Sequence, residues 1–87
     1  MWKFSNHALK RIDERGYSQD SILKILKEEV PSIILPSPKE DSVDLYFSKI
    51  DQKYVLIVVD KYTYIVITVR PMRKKEKLVF IKEIENE

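Results

Sequence analysis

His7, Arg11 and Arg15 follow one another at spacings of four residues. On a helix they would fall at roughly 0°, 40° and 80°, on one stripe. An imidazole in line with two guanidinium groups has the makings of a phosphodiester site. The imidazole can take a proton from a hydroxyl, and arginine forks bind phosphate oxygens and steady the charge of a phosphorane. A second set lies late in the chain, where Tyr64, Thr68 and Arg70 share an apolar, β-branched run that Arg73, Lys74 and Lys75 follow. If the two sets met, His7, Arg11, Arg15, Thr68 and Arg70 would form a catalytic group, with Tyr64, Arg73, Lys74 and Lys75 as an RNA-binding rim. Plainer uses stay open for each. Arginine near a helix C-terminus suits the dipole, threonine is a good strand former, and a charge run is often only a solvated loop.

Composition narrows the chemistry. The 87 residues contain no cysteine, one histidine and one glycine. Disulfides, thiol nucleophiles and cysteine-bound metals are excluded, and multi-histidine metal sites cannot be built within one chain. Glycine-rich phosphate loops are excluded as well, since they need several glycines for close backbone approach. No cofactor and no metal site is expected. Net charge is only +2, but the segment 61–77 carries Lys61, Arg70, Arg73, Lys74, Lys75 and Lys77 against Glu76 alone. Such a local excess can hold a polyanion on a nearly neutral molecule. The start, Met-Trp-Lys-Phe-Ser, has no apolar core of a secretory signal, and no apolar run approaches ~18 residues. The expectation is a soluble, cytoplasmic protein that does not bind membrane. Frequent Lys, Glu and Ile with few amides are compatible with a thermophile.

The elements that must position these residues follow from local signals. A chain this short forms one domain, 1–87. Ser5 is a helix N-cap, and the helix it opens runs over about 6–15 to Gly16, which suits the left-handed closing position. Ala8, Leu9 and Ile12 form its apolar face. Ser18 caps a second helix over about 19–29, with Tyr17 and Ile22 spaced as a hydrophobic staple and Pro31 beyond its end. Ile22, Leu23, Ile25, Leu26 and Val30 make its buried stripe. Period-two patterning then takes over: a short run at 32–35, a strand from Val43, a turn at Asp51-Gln52, and central strands over 54–59 and 64–69. Strict alternation would set Ile65, Ile67 and Val69 against Tyr64, Val66, Thr68 and Arg70. The run 78–84 reads as a last strand rather than a short helix. The expected fold is α+β, with two N-terminal helices packed on one face of an antiparallel sheet of three to five strands.

Ser5-x-His7-Ala8-x-x-Arg11-x-x-Glu14-Arg15-Gly16, followed by Tyr17-Ser18, resembles the opening of a small bacterial family of unknown function. That family is grouped with the RelE/ParE-like toxins and, more widely, with metal-independent ribonuclease folds. Ile67-Thr68-Val69 is similar to its second marker, a threonine at the end of an apolar strand; the match spans about 4–29 and 54–70. The resemblance implies a RelE-like fold, RNA cleavage of toxin type or ribosome-linked toxicity, and an antitoxin protein as partner. The mild net charge departs from strongly basic ribosome-dependent toxins.

Three functions therefore stand at this point. One is a metal-independent endoribonuclease in which His7 takes the proton of a ribose 2′-hydroxyl. The second is a non-catalytic RNA- or protein-binding module that uses the same basic groove. The third is a structural homodimer paired through the last strand.

Overall fold

The computed structural model describes residues 1–85. In chain order it contains β1 (Lys3–Phe4), α1 (Asn6–Arg15), α2 (Gln19–Leu26), β2 (Ser32–Pro36), β3 (Val43–Ile50), β4 (Lys53–Asp60), β5 (Ile65–Pro71) and α3 (Lys74–Phe80). A π-helical turn, Ile81–Glu85, continues α3. The architecture is α+β: three helices with one five-stranded mixed sheet in the order β1-β5-β4-β3-β2. Among the described residues, no helix is long and apolar enough to cross a membrane.

Local chemistry sets the helix ends. Ser5 is extended and its Oγ accepts from the Ala8 N–H at 3.0 Å, satisfying a free donor of the first turn. Gly16 closes α1 at φ 69°, and the Tyr17 N–H bonds back to the Ile12 carbonyl at 2.9 Å. Ser18 caps α2 through the Ser21 N–H at 3.3 Å. That helix stops at Leu26, short of the expected 29. Glu28 takes the left-handed conformation at φ 59°, and Glu28 and Glu29 donate to the carbonyls of Ile25 and Lys24. This is the same closing motif as in α1, built without glycine.

β3, β4 and β5 are joined by short connections and pair antiparallel. Asp51 and Gln52, both at positive φ, form the two-residue turn between β3 and β4, the hairpin turn whose twist matches its strands. The sheet is not wholly antiparallel as expected, because β1 pairs with β5 in parallel. Two residues are too few to show period-two patterning. A second correction concerns 78–84. This segment is helical, so the expected last strand, and a homodimer paired through it, do not exist. The side chain of Glu76 reaches back to the N–H of Arg73, the N-cap residue, at 2.7 Å and starts the helix. Phe80 is buried with its ring edge-on to Tyr54, while Leu78 and Val79 face solvent.

One buried cluster joins Ala8 and Ile12 of α1 and Ile22, Ile25 and Leu26 of α2 to Tyr46, Val55, Ile57, Val59, Val66 and Val69 of the sheet. Strict alternation in β5 fails at a bulge. The register with β4 slips between Val58 and Val59, leaving Ile67 as the extra residue. Val66 and Val69 therefore both join this core, and Ile65 and Ile67 are exposed. The register Ile33↔Phe47↔Leu56↔Arg70 lies on the opposite face, where α3 sits. Arg70 reaches Glu76 there, and the ring of Phe80 lies against Tyr54.

Candidate functional site

α1 runs beside the outer edge of β5, and its side chains bond to that edge. The Ser5 N–H donates to the Val66 carbonyl at 3.0 Å and the Ser5 hydroxyl to the Ile67 carbonyl at 2.9 Å. Arg15 Nη1 donates to the Val69 carbonyl at 2.8 Å. Arg70 Nη1 donates to the Pro71 carbonyl at 2.9 Å. With the Lys3 N–H on the Tyr64 carbonyl at 2.8 Å, five carbonyls along this edge have donors. Sheet edges are open templates for pairing, and the outer side of β5 is closed by β1 and Ser5 at one end and by arginine side chains and a proline at the other.

The sequence-derived residues divide between this edge and the α3 face. His7 is exposed in the first turn of α1 and makes no hydrogen bond among the described residues. Arg11 bonds Glu14 at 2.9 Å, a surface pair worth little in water. Arg15 is half-buried against β5. Arg70 belongs to the other face, where its Nη1 and Nη2 engage both oxygens of Glu76 at 2.9 Å. That fork, with a contribution from the Arg73 N–H, holds the Glu76 carboxyl below the ordinary carboxylate range. Thr68 aligns with Val58, between Ile57/Val69 of the core face, so its hydroxyl also lies on the α3 side. Tyr64 stands apart at the start of β5, at φ 60°, with its ring 5.2 Å from that of Trp2. Arg73 caps α3, and Lys74 and Lys75 are exposed in its first turn.

The five candidate catalytic residues thus do not share one pocket. Arg15 and Arg70 approach the same end of β5 from opposite faces: they donate to the carbonyls of Val69 and Pro71, which are two residues apart and so about 6–7 Å from each other. The C-terminal end of α1, with Arg15, and the cations opening α3 both lie at the end of β5. Lys53 belongs to the same end, and the sequence reading missed it. Its Nζ bonds the carbonyls of Arg15 and Gly16 at 3.2 and 3.4 Å and lies over the Tyr17 ring. Lysine at a helix C-terminus completes the dipole, but nothing local to residue 53 signals a helix end in space.

The class defined so far is a small α+β domain with a sealed, cation-lined sheet edge. No family model, curated protein or solved structure matches the chain.

Proposed function

We propose that this is a RelE-like domain that binds the phosphodiester backbone of RNA along the band His7–Arg11–Arg15, past the end of β5, to Arg73, Lys74 and Lys75. The observation that carries this reading is that Arg15 and Arg70 donate to the carbonyls of Val69 and Pro71, two residues apart. The end of α1 and the cations that open α3 thus lie at the same end of β5, though far apart in sequence. Arg11 pairs only at the surface, and Arg73, Lys74 and Lys75 are exposed, so phosphate can recruit them at low cost.

Metal-independent cleavage of toxin type is the second reading, and the exposed, unbonded imidazole of His7 favours it. The centre would be smaller than the sequence suggested. His7 would take the 2′-hydroxyl proton, with Arg11 and the outer face of Arg15 holding the phosphorane charge. Arg70 is neutralised by Glu76, and Thr68 is on the far side, so neither contributes.

Fluorescence anisotropy with single-stranded RNA over a salt series tests binding. Binding is expected to weaken with salt, and the slope of log affinity against log salt to fall by about 0.7 for each phosphate contact removed in Arg11→Ala or Lys74→Ala. No binding at low salt refutes both readings. Incubation in EDTA, with and without ribosomes, separates them: cleavage that disappears in His7→Ala while binding persists establishes the second.

A further inference from the structure

We propose that the outer edge of β2, with the groove between it and α3, is a self-association surface whose occupant is a second copy of this chain. The two ends of the sheet contrast. The β5 edge is closed by donors at five carbonyls, whereas among the described residues no donor reaches the outer main chain of β2, where Pro36 alone lacks an N–H. The Ser37 N–H donates to the Val43 carbonyl. With the register Leu35↔Leu45 and Ile33↔Phe47, the main-chain groups of Ile33 and Leu35 therefore point at β3. Those of Ser32, Ile34 and Pro36 point away. None of the hydrogen bonds outside the ladders reaches the Ile34 main chain. Edge strands are commonly guarded by charge or proline; Ser-Ile-Ile-Leu-Pro has no charge, and its one proline stands at the end of the strand.

The surface beside this edge is apolar. A groove of about 240 Å³ between the sheet and α3 is lined by Ile33, Leu35, Phe47, Val79 and Phe80, together with Lys75 and Glu76. Leu35 is 49 % exposed and Val79 57 % exposed. A contiguous apolar patch of this kind marks an interface.

The pattern of β2 suits its own copy. Residues 33, 34 and 35 are all apolar, so reversing the strand reproduces its surface. A two-fold axis through Ile34 lets the two Ile34 residues exchange N–H and C=O bonds. Each Ser32 N–H then meets the Pro36 carbonyl of the second copy. Ile33 faces Leu35 of that copy, and the five strands continue into ten. The missing N–H of Pro36 costs one bond on each side. The same axis sets α3 antiparallel to its mate. The cations at its start, Lys74 and Lys75, then lie toward the end of the other helix, which carries Glu83 and the negative pole of the dipole.

Sedimentation of the full chain from about 1 µM to about 1 mM tests this. The mass is expected to rise from 10.4 kDa toward twice that value. Exchange of the Ile34 amide should slow over the same range. Leu35→Lys puts a charge at the apolar pairing, and Ile34→Pro removes the outward donor; each should weaken association by about tenfold or more. Leu35 is half-exposed, so its variant keeps the test valid if Ile34→Pro fails to fold. A mass of one chain at every concentration overturns the proposal. So does association that leaves the Ile34 amide unprotected or is indifferent to Leu35→Lys, because another surface would then be responsible.

Discussion

Replacing Ser5 by alanine removes two interactions at once and tests whether α1 is tied to β5 as described. The hydroxyl accepts from the Ala8 N–H at 3.0 Å and donates to the Ile67 carbonyl at 2.9 Å. Loss of the cap costs about 1 kcal/mol. Loss of the second bond adds about 0.5–1.5 kcal/mol, toward the lower figure because water can reach the edge carbonyl. The Ser5 N–H still serves Val66, so the backbone register survives. The total, about 1.5–2.5 kcal/mol, corresponds to a drop in Tm of about 10 °C for a domain of this size. Ser18→Ala is the internal control. Its hydroxyl has one cap bond, longer at 3.3 Å, and no partner on the sheet, so about 0.5–1 kcal/mol is expected. Ser5→Asp separates the two terms, since a carboxylate caps the helix but cannot donate to Ile67. It should recover the cap alone. Thermal and urea unfolding of the four proteins provide the assay. Equal losses for Ser5→Ala and Ser18→Ala, or full recovery in Ser5→Asp, would refute the idea that the motif serine joins helix to strand.

Other perturbations follow from single contacts. The Arg70 fork holds the Glu76 carboxyl low, so its contribution is complete above the unfolded pKa of about 4.3 and is lost as pH falls through the lower folded value. Wild-type Tm should therefore fall between about pH 5 and pH 3 more steeply than that of Glu76→Gln; parallel curves would dismiss the pair as a source of stability. Gly16→Ala should cost about 1 kcal/mol in urea unfolding through its φ of 69° alone, since a Cβ there meets only the Lys53 ammonium at 3.5 Å. Substituting Asn-Gly for Asp51-Gln52 should raise stability by about 0.5–1 kcal/mol, because both positions are left-handed; an unchanged Tm would contradict the turn type.

Features written in one or two neighbouring residues were readable in advance. Ser5, Gly16 and Ser18 marked three helix ends, and Asp51-Gln52 marked a turn. Features that depend on what lies across space were not. The end of α2 rests on a left-handed glutamate, which has no signature of the kind glycine gives. The run Leu78-Val79-Phe80-Ile81 has the composition of a strand, yet β5 has no vacant edge for it to join. It takes up the helix that Glu76 starts and buries only Phe80 fully. The bulge opposite Val59 was equally hidden, and it decides which residues of β5 face α1. The fourfold spacing of His7, Arg11 and Arg15 was plain, whereas Arg70 meets its partner Glu76 six residues away, a separation with no helical or strand meaning.

The opening motif can now be divided by what each residue does for the fold. Ser5 caps α1 and bonds β5, Ala8 is wholly buried, Arg15 closes an edge carbonyl, and Gly16 supplies the left-handed turn. Four of its members are thus accounted for by architecture, whatever the protein does. Arg11 and Glu14 satisfy one another at the surface, where such a pair adds little stability. His7 remains. It is exposed, bonds to nothing among the described residues, and sits at a helical position that alanine would fill at least as well. A residue that the fold does not need is the one whose replacement separates function from stability. His7→Ala is therefore expected to leave the free energy of unfolding within about 0.5 kcal/mol of wild type, and any activity it abolishes belongs to the imidazole itself.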